Sequence, residues 1–232
     1  MNATGFVHSF ETLGALDGPG LRCVVFLQGC PLRCIYCHNP DTWQPYAGTV
    51  MTAAEVAAKA ARCKPYFGKN GGVTLSGGEP LLQGGFCTEV IKLLKDNGIH
   101  TAIDTSGAVF HRAAVDVADL IILDVKHTDA DEYKKITGLE MNAELLEYCK
   151  STQKPLWIRQ VILPGYTDSE EYMQSLAAFV KGANAKKIEL LPYHDLGVGK
   201  YEKLGIEYKL KAAKPVSAEE AERLYSFLSE HM

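Results

Sequence analysis

Short apolar segments alternate with amphipathic helical patterns along this chain, and that alternation is the feature that most restricts its fold. Six apolar segments in the 232 residues predict strands, at 21–28, 73–76, 99–104, 120–126, 156–162 and 187–191. Strands that alternate with helices build right-handed βαβ units and a parallel sheet. Eight units would close a barrel. Six therefore predict an α/β fold with an open, partial (βα)6 TIM-type barrel of parallel strands, and a flat doubly wound sheet is the alternative.

A single domain is expected over residues 1–232, because no linker or low-complexity segment divides the chain. We expect an N-terminal extension over 1–20, the partial barrel over 21–196 and a C-terminal extension with a final helix over 197–232. Turn-forming glycine, aspartate and proline residues favour irregular structure in the N-terminal extension. Charged residues and glycines favour it in the first part of the C-terminal extension as well.

The composition limits the partners and the compartment. Hydrophobic residues make up 47% of the chain and the formal net charge is −4, so a sizeable core is expected and a nucleic-acid partner is not. Residues 1–5 lack the start of an export signal, and no apolar run reaches membrane-spanning length. An odd count of seven cysteines indicates reduced thiols. We therefore expect a cytoplasmic protein without membrane contact, and a monomer.

Three of the cysteines are crowded into one loop directly after the first predicted strand. Cys30, Cys34 and Cys37 have the spacing C-x3-C-x2-C. Cysteine thiolates hold iron–sulfur clusters, and three of them on a four-iron cluster leave one iron with an open coordination position. Open positions on metals are where chemistry takes place. The loop therefore predicts a 4Fe–4S cluster with catalytic potential, and a zinc knot is the alternative.

Polar residues that are unusual for their surroundings follow the ends of the later predicted strands. Active sites of parallel α/β folds lie at the carboxyl ends of strands. The residues at or after the strand ends are Ser76, Gly77, Gly78, Glu79, Asp104, Thr105, Asp124, Lys126 and His194, and Arg159 lies within the fifth predicted strand. Because these residues are expected along the same edge of the predicted sheet, they indicate a ligand site there.

Each of these residues also has a purely structural explanation. The two glycines allow backbone groups to approach a ligand, or they form an ordinary turn. The two aspartates need a partner or a cation when buried, or they cap helices. Lys126 and Arg159 suit a ligand carboxylate, or they pair with Asp124 or Glu189. A lone histidine such as His194 is more often structural.

The cysteine motif, with Tyr36 before its third cysteine, resembles the signature of the radical S-adenosylmethionine (SAM) enzymes. The segments Asp17–Arg22 (DGPGLR) and 191–194 (LPYH) are similar to those of the glycyl-radical activases within that superfamily. The resemblance implies that SAM binds the open iron and that one electron from the cluster cleaves it to a 5′-deoxyadenosyl radical. The radical would then remove a hydrogen atom from a backbone glycine of a partner enzyme.

The resemblance also implies roles for particular residues. Cys30, Cys34, Cys37 and His194 would be catalytic. SAM would contact Tyr36, Cys37, His38, Gly77, Gly78, Glu79, Asp124, Val125, Lys126, Arg159 and His194. A monovalent cation, Na⁺ or K⁺, would bind Asp104, Thr105 and Asp124, and the partner enzyme would contact Asp17 and His38.

Many activases insert a cysteine-rich segment after the motif, but here the next cysteine after Cys37 is the isolated Cys63. This difference favours pyruvate formate-lyase as the protein substrate, with reduced flavodoxin or ferredoxin as the electron donor. The alternatives are an activase of another glycyl-radical enzyme, a radical SAM enzyme that acts on a small molecule or RNA, and a non-catalytic zinc or electron-transfer module.

Overall fold

The computed structural model describes residues 3–232, which form two compact units. The first unit contains the described part of Met1–Pro31 together with Thr42–Leu123, and the second contains Leu32–Asp41 together with Asp124–Met232. Residues 1 and 2, which begin the expected N-terminal extension and the segment without an export signal, lie outside the described residues. The expectation of a single domain stays a prediction.

The first unit contains most of the strands. They are β1 (Thr4–Gly14), β2 (Arg22–Leu27), β3 (Thr49–Thr52), β4 (Gly72–Gly77), β5 (His100–Thr105) and β6 (Leu120–Val125), of which β6 ends in the second unit. The helices of this unit are α1 (Ala53–Ala61), α2 (Gly84–Asp96) and α3 (Arg112–Val117). The strand order is β3-β1-β2-β4-β5-β6, and β2, β4, β5 and β6 are parallel neighbours.

The second unit contains the remaining elements. They are α4 (Ala130–Thr137), α5 (Glu144–Thr152), β7 (Leu156–Ile162), α6 (Glu170–Val180), β8 (Ala185–Pro192), α7 (Val198–Leu204) and α8 (Ala218–Glu230). Strands β7 and β8 pair in parallel along their whole length. All six strands expected from the sequence are present, so the α/β class with parallel strands is confirmed.

Strands β1 and β3 and helix α7 were not expected from the sequence. Strand β1 occupies much of the extension that was expected to be irregular, and it pairs antiparallel with both β2 and β3. Helix α7 lies in the stretch 197–214, which was also expected to be irregular. All three depend on distant partners, and local sequence patterns do not report such partners.

Helix starts follow the sequence signals closely. Thr52 Oγ1 accepts a hydrogen bond from Glu55 N at 3.2 Å, and the Glu55 carboxylate accepts one from Thr52 N at 2.8 Å. This is the capping box expected at the start of α1. Ser217 caps α8 in the expected way. Among residues 3–232, no helix has both the length and the apolar character needed to cross a membrane.

The parallel register between β2 and β4 brings the ends of these strands level. Arg22 lies opposite Gly72, and Leu27 lies opposite Gly77. The cysteine loop therefore starts beside the segment that follows Gly77. Active-site loops of α/β folds start at such strand ends.

At the other end of β2, the fully buried Arg22 side chain fixes the loop that carries Asp17. Its guanidinium donates to Thr74 Oγ1 at 2.5 Å, to Val73 O at 2.6 Å and to Pro19 O at 3.2 Å. The Thr74 hydroxyl in turn donates to Asp17 O at 2.6 Å. Burial lowers the pKa of Arg22 to about 10, although Asp17 and Asp119 oppose the shift. The side chain therefore stays charged at neutral pH.

We predict that Arg22→Met lowers the free energy of unfolding by about 3 kcal/mol, because it leaves two buried carbonyl groups and a hydroxyl without their charged donor. Denaturant unfolding followed by circular dichroism measures the change. Arg112→Met is the matched control, since Arg112 is exposed and its pair with Asp116, at 3.6 Å, contributes less than about 1 kcal/mol. Equal losses in the two variants would contradict the role given to Arg22.

Candidate active site

The first cysteine of the motif lies where two loops of the first unit meet. Gly29 N donates to Thr42 O at 2.7 Å and Cys30 N donates to Trp43 O at 3.3 Å. On the other side, Glu79 N donates to Gly29 O at 2.9 Å. These backbone hydrogen bonds fix the start of the cysteine loop.

The two glycines after β4 are required by this close approach. A Cβ atom on Gly78 would lie 2.2 Å from Gly29 O and 3.1 Å from Cys30 Cβ. Gly77 has φ +116°, and a Cβ there would lie 2.3 Å from Leu27 N. Only glycine fits without a backbone shift. The sequence indicated glycines that approach a ligand, and the structure shows that Gly78 approaches the cysteine loop and Gly77 approaches the end of β2.

Glu79 is fully buried, and its carboxylate is fully engaged within the first unit. It accepts hydrogen bonds from Leu81 N, Thr105 Oγ1, Ser106 N and Ser106 Oγ at distances of 2.6–3.1 Å. Burial raises its pKa, while the donors from Ser106 and Thr105 oppose the shift. Glu79 therefore joins the end of β4 to the end of β5. Its expected contact with SAM and the expected cation contact of Thr105 stay predictions.

Asp104 and Asp17, also in the first unit, are half-buried. Asp104 Oδ2 accepts a hydrogen bond from Ser76 Oγ at 3.0 Å. Asp17 lies in the loop that Arg22 and Thr74 hold in place. Neighbouring strands thus fix the Asp104 carboxylate and the backbone of Asp17.

In the second unit, the segment Leu32–Asp41 is anchored to α4 and to a hydrophobic cluster. Arg33 N donates to Thr137 O at 2.7 Å, and Ile35 N donates to Ile136 O at 3.0 Å. Ile35 and Tyr36 pack against the buried side chains Ile136, Val161, Leu163 and Tyr193. Cys34 is buried, and Cys37 is half-buried.

Asp124 and Lys126 form an ion pair close to the Tyr36 ring. Lys126 Nζ lies 2.5 Å from Asp124 Oδ2 and 5.3 Å from the centre of the Tyr36 ring. Burial disfavours the charge on Lys126, but Asp124, Tyr36 and Cys34 together outweigh it and hold the pKa of Lys126 well above its ordinary value. The other carboxylate oxygen, Asp124 Oδ1, is buried and has no hydrogen-bond partner.

The two histidines expected at the site stack on each other. The rings of His38 and His194 lie 4.2 Å apart with an angle of 15° between their planes. His38 Nε2 donates to His194 O at 3.0 Å, so His38 carries its proton on Nε2. Burial lowers the pKa of His38 and keeps the ring neutral. His194 Nδ1 is buried and has no hydrogen-bond partner.

Arg159 and Val125 are both buried in the second unit. Arg159 donates to Glu189 Oε2 from Nε at 3.4 Å and from Nη2 at 3.3 Å. This is one of the two ion pairs that the sequence left open as an alternative to SAM binding. Val125 is buried in β6. SAM contacts at these two residues stay predictions.

Sequence reasoning missed the residues that hold the end of the cysteine loop. Tyr201 OH donates to Cys37 O at 3.0 Å, and Lys200 Nζ donates to Asn39 Oδ1 at 2.8 Å and to Asp41 Oδ1 at 3.0 Å. Both donors lie on α7, which the sequence did not predict. An aromatic residue on a short charged segment was the only signal that the sequence offered.

The residues present fit an iron–sulfur cluster and a polar cofactor. Thiols are the ligands of such clusters, and the Sγ of Cys37 accepts a hydrogen bond from Asn39 N at 3.4 Å. Asp124 Oδ1 and His194 Nδ1 are buried polar atoms that await a partner. Within residues 3–232, no three His, Cys, Asp or Glu side chains are grouped closely enough to hold a single metal ion. The expected cation site therefore stays a prediction.

Comparison with known proteins identifies the class. The family model of the radical SAM superfamily matches residues 24–177. The chain belongs to the radical SAM superfamily, whose members use a 4Fe–4S cluster and SAM, and the expectation of a radical SAM enzyme is confirmed.

Within that superfamily, the similar curated proteins are pyruvate formate-lyase-activating enzymes. The enzyme from Clostridium pasteurianum is 47% identical, over 97% of this chain and 98% of its own length. The enzyme from Staphylococcus epidermidis is 42% identical, over 97% of this chain and 95% of its own length. A domain of such an enzyme from Bacteroides vulgatus has a similar crystal structure, with a TM-score of 0.56 and 25% identity, over 69% of this chain and 94% of that domain.

We predict that Gly78→Ala lowers the free energy of unfolding by about 1–3 kcal/mol, because the new methyl group overlaps the backbone of the cysteine loop. Gly85→Ala is the matched control: nothing lies within 4 Å of its Cβ position, and it lies in helix α2. Alanine is favoured over glycine in helices by up to about 1 kcal/mol. Denaturant unfolding of both variants measures the difference. A Gly78→Ala protein as stable as wild type would contradict the close approach.

Proposed function

We propose that this protein is the activating enzyme of a glycyl-radical enzyme, and that its protein substrate is pyruvate formate-lyase. The observation that carries the proposal is the similarity, over 97% of the chain, to curated enzymes that bear this name. The lack of a cysteine-rich insertion between Cys37 and Cys63 supports the choice of substrate.

In this proposal Cys30, Cys34 and Cys37 ligate a 4Fe–4S cluster. When bound, the cluster would supply the electron for cleavage of SAM to methionine and a 5′-deoxyadenosyl radical, which would remove a hydrogen atom from a backbone glycine of the substrate. The protein itself moves no proton in this step, so its task is to position the reactants and exclude water. Flavodoxin or ferredoxin would supply the electron to the cluster.

Residues of the second unit have the chemistry to bind SAM. Lys126 carries a positive charge suited to the carboxylate of the methionine moiety. Asp124 Oδ1 is a buried acceptor without a donor, which suits the amino group or a ribose hydroxyl. His194 Nδ1 offers a second unpaired polar atom, and the Tyr36 and His38 rings offer flat surfaces for the adenine.

The remaining proposed contacts concern SAM, a monovalent cation and the protein substrate. The backbone at Gly77, Gly78 and Glu79 would bind the amino group of SAM, and Arg159 of the second unit would add a further contact. Asp104, Thr105 and Asp124 would hold a monovalent cation. Asp17 and His38 would contact the glycine-bearing loop of the substrate.

We predict that anaerobic reconstitution with iron and sulfide, followed by SAM, dithionite and pyruvate formate-lyase, produces the EPR doublet of a glycyl radical. Cys34→Ser should abolish both the cluster absorbance and the doublet, because one iron loses its thiolate. Cys149→Ala is the matched control, since Cys149 is a buried lone cysteine outside the motif.

Two outcomes would contradict the proposal. A colourless protein that contains stoichiometric zinc would favour the non-catalytic alternative. A protein that cleaves SAM but leaves pyruvate formate-lyase without a radical would favour another glycyl-radical enzyme or a small-molecule or RNA substrate.

We predict that Asp17→Ala slows radical formation on pyruvate formate-lyase by about tenfold or more, which corresponds to about 1.4 kcal/mol, and leaves SAM cleavage without substrate unchanged. The reason is that the variant removes only the carboxylate, while Thr74 still holds the backbone carbonyl of residue 17. Rates from EPR and from 5′-deoxyadenosine release measure the two steps. Asp116→Ala, on an exposed position of α3, is the control. Full activation by Asp17→Ala would remove Asp17 from the substrate site.

A further inference from the structure

The residues that follow the third cysteine form a tight turn, which we call the Cys37 turn (residues 37–41). It begins with a backbone hydrogen bond from Cys37 N to Cys34 O at 3.1 Å. Asn39 N then donates to Cys37 Sγ at 3.4 Å. An N–H group that points at a cysteine sulfur stabilises negative charge on it and tunes the potential of a bound cluster.

Residues of helix α7 donate hydrogen bonds to the Cys37 turn. Lys200 Nζ, on α7, donates to Asn39 Oδ1 at 2.8 Å and to Asp41 Oδ1 at 3.0 Å. Tyr201 OH, the next residue, donates to Cys37 O at 3.0 Å. Two consecutive residues thus bind the turn at three places, on either side of the N–H···S hydrogen bond.

The segment before α7 also fits closely against the turn. His38 Nε2 donates to His194 O, and a Cβ atom on Gly197 would lie 2.8 Å from His38 Cα. The backbone at Gly197 therefore reaches the turn only because it lacks a side chain. This contact places the start of α7, and with it Lys200 and Tyr201, at a fixed distance from the turn.

We propose that Lys200 and Tyr201 are positioning residues for the third cluster ligand. They hold the Cys37 turn in the conformation in which Asn39 N–H points at Cys37 Sγ. They act through Asn39 Oδ1 and the Cys37 carbonyl, to which they donate hydrogen bonds. The proposal rests on the proposed function, because it takes Cys37 as a ligand of the cluster.

Loss of such supporting contacts typically lowers metal affinity by 10–100-fold. In Lys200→Gln and Tyr201→Phe, we expect an iron(II) chelator to remove the reconstituted cluster about tenfold faster than from wild type. We also expect the reduction potential of the cluster to become more negative, because the thiolate loses part of its N–H···S stabilisation. Lys200→Arg keeps the charge and the donors, so it should restore values near those of wild type.

The apo-protein provides an independent measurement. In Lys200→Gln and Tyr201→Phe, hydrogen exchange of the amides at residues 37–41 should be faster than in wild type, while exchange in strand β7 stays the same. Lys203→Gln and Tyr225→Phe are the matched controls: both positions are exposed, on α7 and α8 respectively. They should match wild type in every measurement.

Equal exchange and equal cluster loss in the variants and in the controls would overturn the proposal. Faster exchange throughout the chain would show a general loss of stability and would also overturn it. If the wild-type protein takes up no cluster, the proposed function fails. The comparison of apo-protein exchange then still decides whether Lys200 and Tyr201 hold the turn.

Discussion

The level ends of the parallel strands β2 and β4 are the constraint on which the first part of the site depends. Because Leu27 lies opposite Gly77, the chains that leave both strands run side by side, and backbone atoms of Gly78 and Gly29 come within van der Waals distance. No side chain fits between them. The cysteine loop is therefore positioned by main-chain hydrogen bonds, which do not depend on the presence of a cluster. Preorganisation of this kind avoids an ordering cost when a ligand binds.

Local sequence patterns predicted most of the strands and helices. The six strands that the sequence predicted contain apolar residues, most of them buried in all but β8, and α1 and α8 begin at the cap residues Thr52 and Ser217. Strands β1 and β3 were missed because β1 finds its pairing partners further along the chain and is interrupted by irregular register. Helix α7 has only seven residues and contains Gly199, so its stability comes from packing rather than from helix propensity. Tertiary contacts of this kind leave little trace in a single sequence.

The sequence predicted which types of residue form the candidate site, but not which side chains bind one another there. Cysteine spacing and polar residues at strand ends pointed to the right positions. The sequence did not reveal that Glu79 accepts four hydrogen bonds from its own unit, and it left open whether Arg159 pairs with Glu189 or binds a ligand. Nor did it reveal that His38 stacks on His194, 156 residues away. Each pairing depends on the path of the backbone between the partners, and residue type alone does not encode that path.

The buried polar residues of the candidate site differ in whether all of their polar atoms have hydrogen-bond partners. Residues without an unpaired atom support the fold, whereas an unpaired buried atom suits ligand binding. A buried polar group without a partner costs about 1–3 kcal/mol, and a protein retains that cost only where something later offsets it. The Glu79 carboxylate has its donors already, so it serves the scaffold whatever else it contacts. Asp124 and His194 each have one buried polar atom without a hydrogen-bond partner, while Asp124 Oδ2 binds Lys126 and the His194 ring stacks on His38. Their side chains are thus held in place while the free atom remains available. A polar ligand that supplied a donor to Asp124 Oδ1 would recover the cost of its burial, which makes this oxygen a stronger point of ligand recognition than the more conspicuous charges around it.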